Sequence, residues 1–324
     1  MKALVTGASG FVGANLVRAL LQKNYKVRAL VRPSSSLRTL QGLDVELVQG
    51  DVRDPDSLYK AMEGCPLVFH AAALYAFNVR PRTLLYEVNV EGTRNVLEAA
   101  LQRGVERVVH TSSVAALGGT RSNEPLDERV EEPWLVGDYQ RSKYQAENVA
   151  REFASKGLPV VIVNPSMPVG PYDGKPTPSG RVIVDFLNRK MPAYVNTRLN
   201  VVDVEAVALG HILAVEKGKA GERYILGGEN LTLEQLLGKL SQITGLPAPK
   251  VKLPYGLLLL FAALGTLVGS SRLNGESWRM ARFHPYVRSE KAARELGFPV
   301  KPVDGALRRA VSWFRENGYV SRGY

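Results

Sequence analysis

The chain has 324 residues, 45% of them hydrophobic and 23% charged, with 42 Lys/Arg against 31 Asp/Glu for a formal net charge of +11. That length accommodates one large or two smaller domains, and the composition excludes a disordered, collagen-like or coiled-coil chain. A single cysteine, Cys65, excludes an internal disulfide framework and any multi-thiolate metal site, as expected of a reducing compartment.

Lys2–Thr6 reads as a strand with no basic leader or apolar leader segment before it, so a cytoplasmic location is expected. Further strand-like runs follow at Lys26–Arg32, Val45–Val48, Leu67–His70, Arg107–Thr111 and Pro159–Asn164, separated by amphipathic stretches such as Ala14–Gln22 and Glu91–Arg103. Strands that are apolar throughout, alternating with helices, predict a Rossmann-type α/β fold: a doubly wound parallel sheet covered on both faces. The rhythm breaks after Asn164, where prolines at 165, 168, 171, 176 and 178 interrupt regular structure. Val204–Lys217 (helix-like) and Glu222–Leu226 (strand-like) then read as a return to the sheet. The expected division is a dinucleotide-binding domain of residues 1–165 with 200–227. A smaller, mainly helical substrate domain would comprise 166–199 and 228–324.

Two stretches raise other partners. Leu257–Val268 is apolar, but Tyr255–Val268 is shorter than the roughly 20 residues that span a bilayer, so a buried or substrate-facing helix is the favoured reading over interfacial lipid contact. From Arg272 to Tyr324 eleven Lys/Arg accompany five Asp/Glu. No zinc-finger spacing, RNP-like motif or homeodomain pattern accompanies that charge, so nucleic acid is not expected; a solvated basic face is favoured over an anionic membrane surface. The four histidines show no metal-ligand spacing, and no metal is expected. His70 and His110 read as packing residues.

The sharpest local signal is Thr6-Gly7-Ala8-Ser9-Gly10-Phe11-Val12-Gly13, between the first strand and first helix. Glycines at 7, 10 and 13 allow a tight turn, close approach of backbone to a pyrophosphate, and close helix–strand packing, while the helix N-terminus faces the phosphates. At the end of the second strand, where an acidic residue would accept from the NAD ribose hydroxyls, stands Arg32. Its guanidinium can pair with a 2′-phosphate, so NADP(H) is favoured over NAD(H). Gly50-Asp51-Val52 offers a carboxylate and a backbone N–H at the adenine edge.

Tyr139-Gln140-Arg141-Ser142-Lys143 puts a phenol and an ammonium on one face of a predicted helix. An ammonium near a phenol stabilises phenolate and suits Tyr139 to exchange a proton with a substrate oxygen. Thr111-Ser112-Ser113, at the end of the fifth strand, supplies a hydroxyl for the same oxygen.

These motifs, with His70-Ala71-Ala72-Ala73 and Asn89-Val90-Glu91-Gly92-Thr93 between them, resemble in kind and order the extended short-chain dehydrogenases/reductases. Within that superfamily the chain is most similar to the dihydroflavonol-reductase-like branch and to bacterial hopanoid-associated sugar epimerases, on Asn164–Pro171, Lys175–Arg181 and Glu222–Leu231. The resemblance covers essentially the whole chain. It implies that Ser113 orients the reacting carbonyl or hydroxyl, Tyr139 is the acid/base, and Lys143 lowers the tyrosine pKa and binds the nicotinamide ribose. It further implies that Asp51 and Val52 hold adenine, that Ala71, Ala72 and Asn89 line the cofactor, and that Pro165 and Ser166 border the nicotinamide. A small-molecule carbonyl or sugar substrate follows, and a homodimer through paired helices is common in the family.

Two activities remain open. Sugar epimerases commonly use NAD transiently, whereas Arg32 points to NADP(H). Nucleotide-sugar enzymes often carry an arginine seven residues before the aspartate of a Val-x-Asp motif; relative to Asp203 that position is Asn196, with Arg198 two residues on. Both departures favour net reduction of a ketone or aldehyde, or the reverse oxidation, over epimerisation. A nucleotide sensor without turnover, or a membrane-associated scaffold, is the remaining class.

Overall fold

A computed structural model describes residues 1–75, 81–122, 124–256 and 285–321. The strands, in chain order, are β1 (Lys2–Thr6), β2 (Lys26–Val31), β3 (Glu46–Gln49), β4 (Leu67–His70), β5 (Arg107–Thr111), β6 (Val160–Pro165), β7 (Met167–Val169), β8 (Ala193–Tyr194), β9 (Arg198–Asp203), β10 (Arg223–Leu226), β11 (Glu229–Thr232) and β12 (Val251–Lys252). The helices used below are α1 (Phe11–Gln22), α2 (Pro55–Ala61), α3 (Thr83–Tyr86), α4 (Gly92–Gln102), α5 (Asp138–Ser155), α6 (Pro178–Leu187), α7 (Val204–Lys217), α8 (Leu233–Thr244), α9 (Glu290–Leu296) and α10 (Asp304–Glu316).

Seven strands make the main sheet in the order β10-β6-β5-β4-β1-β2-β3, every neighbouring pair parallel. The connection order reverses at β1, which lies between β2 and β4, so the crevice beyond its C-terminal end is where such a sheet takes a ligand. Residues alternate between two apolar layers. Ala3 and Val5 of β1 face α1, α7 and α9, where they join Leu16, Val207 and Leu296. Leu4 faces the opposite layer, which contains Val96 and Leu97 of α4 and Val149 and Phe153 of α5. Burial on both faces is why these strands lack polar alternation.

A second layer of structure lies beyond β6. Short strands β7, β9 and β11 form a three-stranded sheet, with β9 parallel to β7 and antiparallel to β11. Phe186 of α6, Leu236 and Leu240 of α8, and Leu307 and Phe314 of α10 pack into one apolar cluster with Val169 and Val201 of that sheet. The sequence reading anticipated helices here and not this sheet. Its strands are three to six residues long and only partly buried, too short for a period-two pattern to stand out. The helices are marked by capping chemistry: Thr232 and Gln235 form a reciprocal capping box at the start of α8. Leu257–Val268 lies outside the described residues. Among the described residues no helix is long and apolar enough to cross a membrane.

Candidate active site

The glycine turn sits at the reversal point. Gly7 has φ 69°, a left-handed conformation, and a Cβ on it would stand 2.7 Å from the Ala72 backbone. At Gly13 a Cβ would meet the Gly7 carbonyl oxygen at 2.1 Å, so the first turn of α1 and the end of β1 touch as only glycine permits. Gly10 caps α1 without a side-chain hydrogen bond, and no acidic residue lies in the first helical turn. The backbone N–H groups there are available to an anion. Thr39 Oγ1 donates to the Ser9 carbonyl at 3.0 Å and Asn15 Nδ2 to that of Phe11 at 3.0 Å, holding both sides of the turn.

A directed chain of hydrogen bonds runs beneath it. The Ala72 N–H donates to Thr6 Oγ1 at 3.3 Å, and Thr6 Oγ1 lies 2.8 Å from His70 Nδ1. On the other side His70 Nε2 lies 3.0 Å from Thr93 Oγ1, whose proton goes to the Asn89 carbonyl at 2.7 Å. Thr93 must therefore accept from Nε2–H, and with the ring neutral Nδ1 accepts from the Thr6 hydroxyl. His211 is fixed similarly: Nδ1 donates to the Val207 carbonyl at 2.8 Å and Nε2 accepts from Thr111 Oγ1 at 2.9 Å. Burial, with the Lys143 charge, pushes His70 down to about 3, and burial pushes His211 down to about 4.

Residues 87–91 form one turn of π-helix ahead of α4, which carries Asn89 inward. Asn89 Oδ1 accepts from the Leu74 N–H at 2.7 Å, while Nδ2 donates to the Leu74 carbonyl and to Ser142 Oγ. Its amide is thus engaged by protein, and it fixes the strand exit that carries Tyr75. The Tyr75 ring lies 4.8 Å, centroid to centroid, from that of Tyr139. Phe77 lies outside the described residues.

Helix α5 brings Tyr139 and Lys143 together, both buried. Tyr139 shares a hydrogen bond with the side chain of Ser113. Ser113 Oγ also accepts from the Ala115 N–H at 3.1 Å, which directs its own proton away from the backbone. Burial, aided by Tyr75, raises the Tyr139 phenol above its ordinary range, with the Ser113 bond opposing. The phenol is neutral in this state. Lys143 Nζ donates to the Thr111 carbonyl at 2.9 Å, and desolvation brings its pKa down to about 8, with Glu147 opposing. The sequence reading placed the ammonium's influence on the phenol; here the dominant effect on Tyr139 is burial.

The far wall is the end of β6. Ser166 Oγ and Asn164 Oδ1 are buried and, among the described residues, have no hydrogen-bond partner. Orphaned acceptors and donors at this edge, with the glycine turn opposite, fit a nicotinamide dinucleotide. Arg32 is exposed, and its backbone is held by reciprocal bonds with Ser35. Asp51 is less free: Arg53 grips its carboxylate at 2.8 and 3.0 Å and holds it below the usual range. Val52 is buried, and its carbonyl accepts from Asn95 Nδ2. Pro165 ends β6, and Ala71 donates its N–H to the Thr6 carbonyl.

The profile of the NAD dependent epimerase/dehydratase family matches residues 3–227. The chain belongs to this family. Its relatives are reductases as well as epimerases and dehydratases. It is 49% identical to a putative dihydroflavonol 4-reductase of Synechocystis, over 98% of this chain and 95% of that protein. It is 39% identical to sterol demethylase protein B of Methylococcus capsulatus, over 99% of this chain and 100% of that one. Among solved structures, the dTDP-glucose 4,6-dehydratase DesIV of Streptomyces venezuelae, with NAD bound, superposes with a TM-score of 0.82 at 26% identity, covering 99% of both chains. The protein is an enzyme of the extended short-chain dehydrogenase/reductase type, and its family uses nicotinamide cofactors.

Glu147, Asn164 and Arg223 were missed by the motif reading. Glu147 was legible in principle, because it continues the four-residue spacing of Tyr139 and Lys143 along α5. Asn164 and Arg223 join it only through the sheet order.

The neutral histidines make acid stability testable. His70 and His211 have depressed folded pKa values near 3 and 4, while unfolded histidine titrates near 6.5. Between those values the unfolded chain binds more protons, so stability falls as pH drops below about 6.5, by up to ~1.4 kcal/mol per unit per histidine. Urea unfolding at pH 7.5, 6 and 5 should show that slope; a flat free energy across the interval would contradict it.

Proposed function

We propose that this enzyme is an NADP(H)-dependent reductase of a ketone or aldehyde, or the corresponding alcohol dehydrogenase, with Tyr139 as acid/base. Residues 1–165 with 200–227 would form the cofactor part, and 166–199 with 228–324 the substrate part. The observation that carries the reading is the buried, neutral Tyr139 phenol sharing a hydrogen bond with Ser113 beside Lys143. A proton donor to a carbonyl must hold its proton until charge develops on the substrate oxygen, and burial ensures this.

A bound nicotinamide supplies or accepts the hydride. In the reductive direction Ser113 and Tyr139 both hydrogen-bond the carbonyl oxygen. As the carbon gains hydride, the Tyr139 O–H bond breaks and its proton completes the alcohol. The phenolate is stabilised by the Lys143 ammonium until solvent restores the proton. Ser9, Phe11, Val12 and Gly13 would present backbone N–H groups to the pyrophosphate, beside Gly10, whose own N–H is held by the Gly7 carbonyl; Ser166 would meet the nicotinamide, and Arg32 would pair with the 2′-phosphate.

Asn196 and Arg198 support reduction over nucleotide-sugar chemistry. Asn196 is bound to Glu234 at 3.1 and 3.2 Å, and Arg198 donates to the carbonyls of Thr120 and Ser122. Neither stands as an unengaged cation for a nucleotide diphosphate. The first relative's name, a putative reductase, agrees with net reduction. The epimerase alternative rests on the family profile and is separated by stoichiometry.

A panel of carbonyl compounds should give NADPH oxidation equal to alcohol formed. Isomerisation without net cofactor change would replace the reading with an epimerase. Tyr139→Phe should lower kcat by about 10²–10⁴-fold while NADPH affinity stays nearly intact, and wild-type turnover in that variant would reject the acid/base role. Arg32→Asp should weaken NADPH binding by about 10- to 100-fold and leave NADH binding equal or tighter, as read by fluorescence titration of both.

A further inference from the structure

Helix α5 carries a third polar residue on the catalytic face. Glu147 lies four residues beyond Lys143 and is 1% exposed. A carboxylate in that position is strongly destabilising unless its lone pairs are filled. They are. Oε2 accepts from Ser112 Oγ at 2.7 Å and from Asn164 Nδ2 at 2.7 Å; Oε1 accepts from Arg223 and Arg151, each at 3.0 Å. Burial opposes ionisation, yet these partners, Arg223 foremost, hold the carboxyl below its ordinary range.

The partners are the parts of the active site. Ser112 immediately precedes Ser113, and Asn164 Nδ2 also donates to the Ser113 carbonyl at 3.0 Å. One carboxylate therefore pins the residue before the Ser113 hydroxyl and, through Asn164, the Ser113 backbone itself. Arg223, from β10, donates also to the carbonyls of Glu128 and Val130, and so fastens the segment that leads into α5. The ends of β5 and β6, the start of β10 and the middle of α5 meet at this one side chain.

We propose that Glu147 is a positioning residue: its buried carboxylate holds Ser113 against Tyr139 and supplies the anion that keeps the neighbouring Lys143 an ammonium. The inference rests on the acid/base reading of Tyr139 and deepens it. The groups facing Lys143 are Tyr139 and Glu147 from α5, His70 from β4, and His110 with the Thr111 carbonyl from β5. His211 of α7 reaches the same place through Thr111. The histidines are held neutral by burial, so Glu147 is the opposing charge. Facing Glu147 itself are Arg151 on its own helix and Arg223 on β10.

The test compares Glu147→Gln with the charge-balanced Glu147→Gln/Arg223→Gln and with Ser112→Ala, using NADPH and a carbonyl substrate accepted by the wild type. NADPH titration first certifies a folded cofactor site. Both Glu147 variants should lose about tenfold or more in kcat, with the KM for NADPH little changed. The alkaline limb of their kcat–pH profile should move to lower pH, because Lys143 surrenders its proton more readily without its anion. Ser112→Ala, which leaves the charges paired, should lose about threefold in kcat. Wild-type kcat and profile in a folded Glu147 variant overturns the proposal. So does a kcat loss with an unmoved profile, which would leave Glu147 only a brace of the fold. If neither Glu147 variant folds, wild-type kcat in Ser112→Ala overturns it. Tyr139→Phe is assayed in parallel: retained turnover there sinks the acid/base reading, whereas an inactive Tyr139→Phe beside fully active Glu147 variants sinks this inference alone.

Discussion

An ammonium group almost shut off from water must find its compensation in the protein, and Lys143 is such a group. It sits below the C-terminal edge of a parallel sheet, against the Thr111 carbonyl, and its neighbourhood among the described residues holds one carboxylate and three imidazoles that burial keeps uncharged. Much of the local architecture follows. Helix α5 must present Tyr139, Lys143 and Glu147 to the same side, and β5 must end where its last carbonyl can be approached. The strand ends must supply the hydroxyl and amide donors that quiet the carboxylate. The arrangement confines positive charge to the neighbourhood in which a phenol would have to release its proton.

The glycine-turn side of the crevice is built differently. It depends on absence of side chain, with Gly7 and Gly13 permitting backbone to touch backbone, and on a hydrogen-bond chain whose direction is set by threonine hydroxyls. His70 there serves as a neutral connector between the glycine turn and the helix that carries Asn89. At Gly7 and Gly13 that side leaves no room for a Cβ. The other side consists of the segments after β4, after β5 and after β6, where Tyr75, the Thr120–Ser122 carbonyls and Asp173 lie. Asp173 is buried, and desolvation raises it to about 6 despite its bonds to Thr177. Segments of this kind follow no residue code.

The parallel sheet was legible because its strands are buried on both faces and read as unbroken apolar runs; Lys2–Thr6, Leu67–His70 and Arg107–Thr111 coincide with the observed strands. The glycine turn and the Tyr139/Lys143 pair were legible because each is local, seven residues from Gly7 to Gly13 and five from Tyr139 to Lys143. What escaped was non-local or short. The β7-β9-β11 sheet draws strands from positions 167, 198 and 229 onward, each too brief to show periodicity. Arg223 was invisible as a partner of Glu147, seventy-six residues away, until the order of the strands put β10 beside β6. The engagement of Asn89 by Leu74, fifteen residues away, belongs to the same class, whereas that of Asp51 by Arg53 is local and was overlooked. A residue's type announces what it can bind, and only the packing decides what it does bind.

The wide turn at residues 87–91 places one more residue in a helical revolution than an ordinary α-helix would hold. Everything downstream on α4, including the threonine that receives the His70 proton donor, inherits its phase from that single surplus residue. Excising it would swing the rest of the helix by roughly 100° about its axis. A one-residue change in the length of this stretch would therefore misalign the crevice and the apolar layer together.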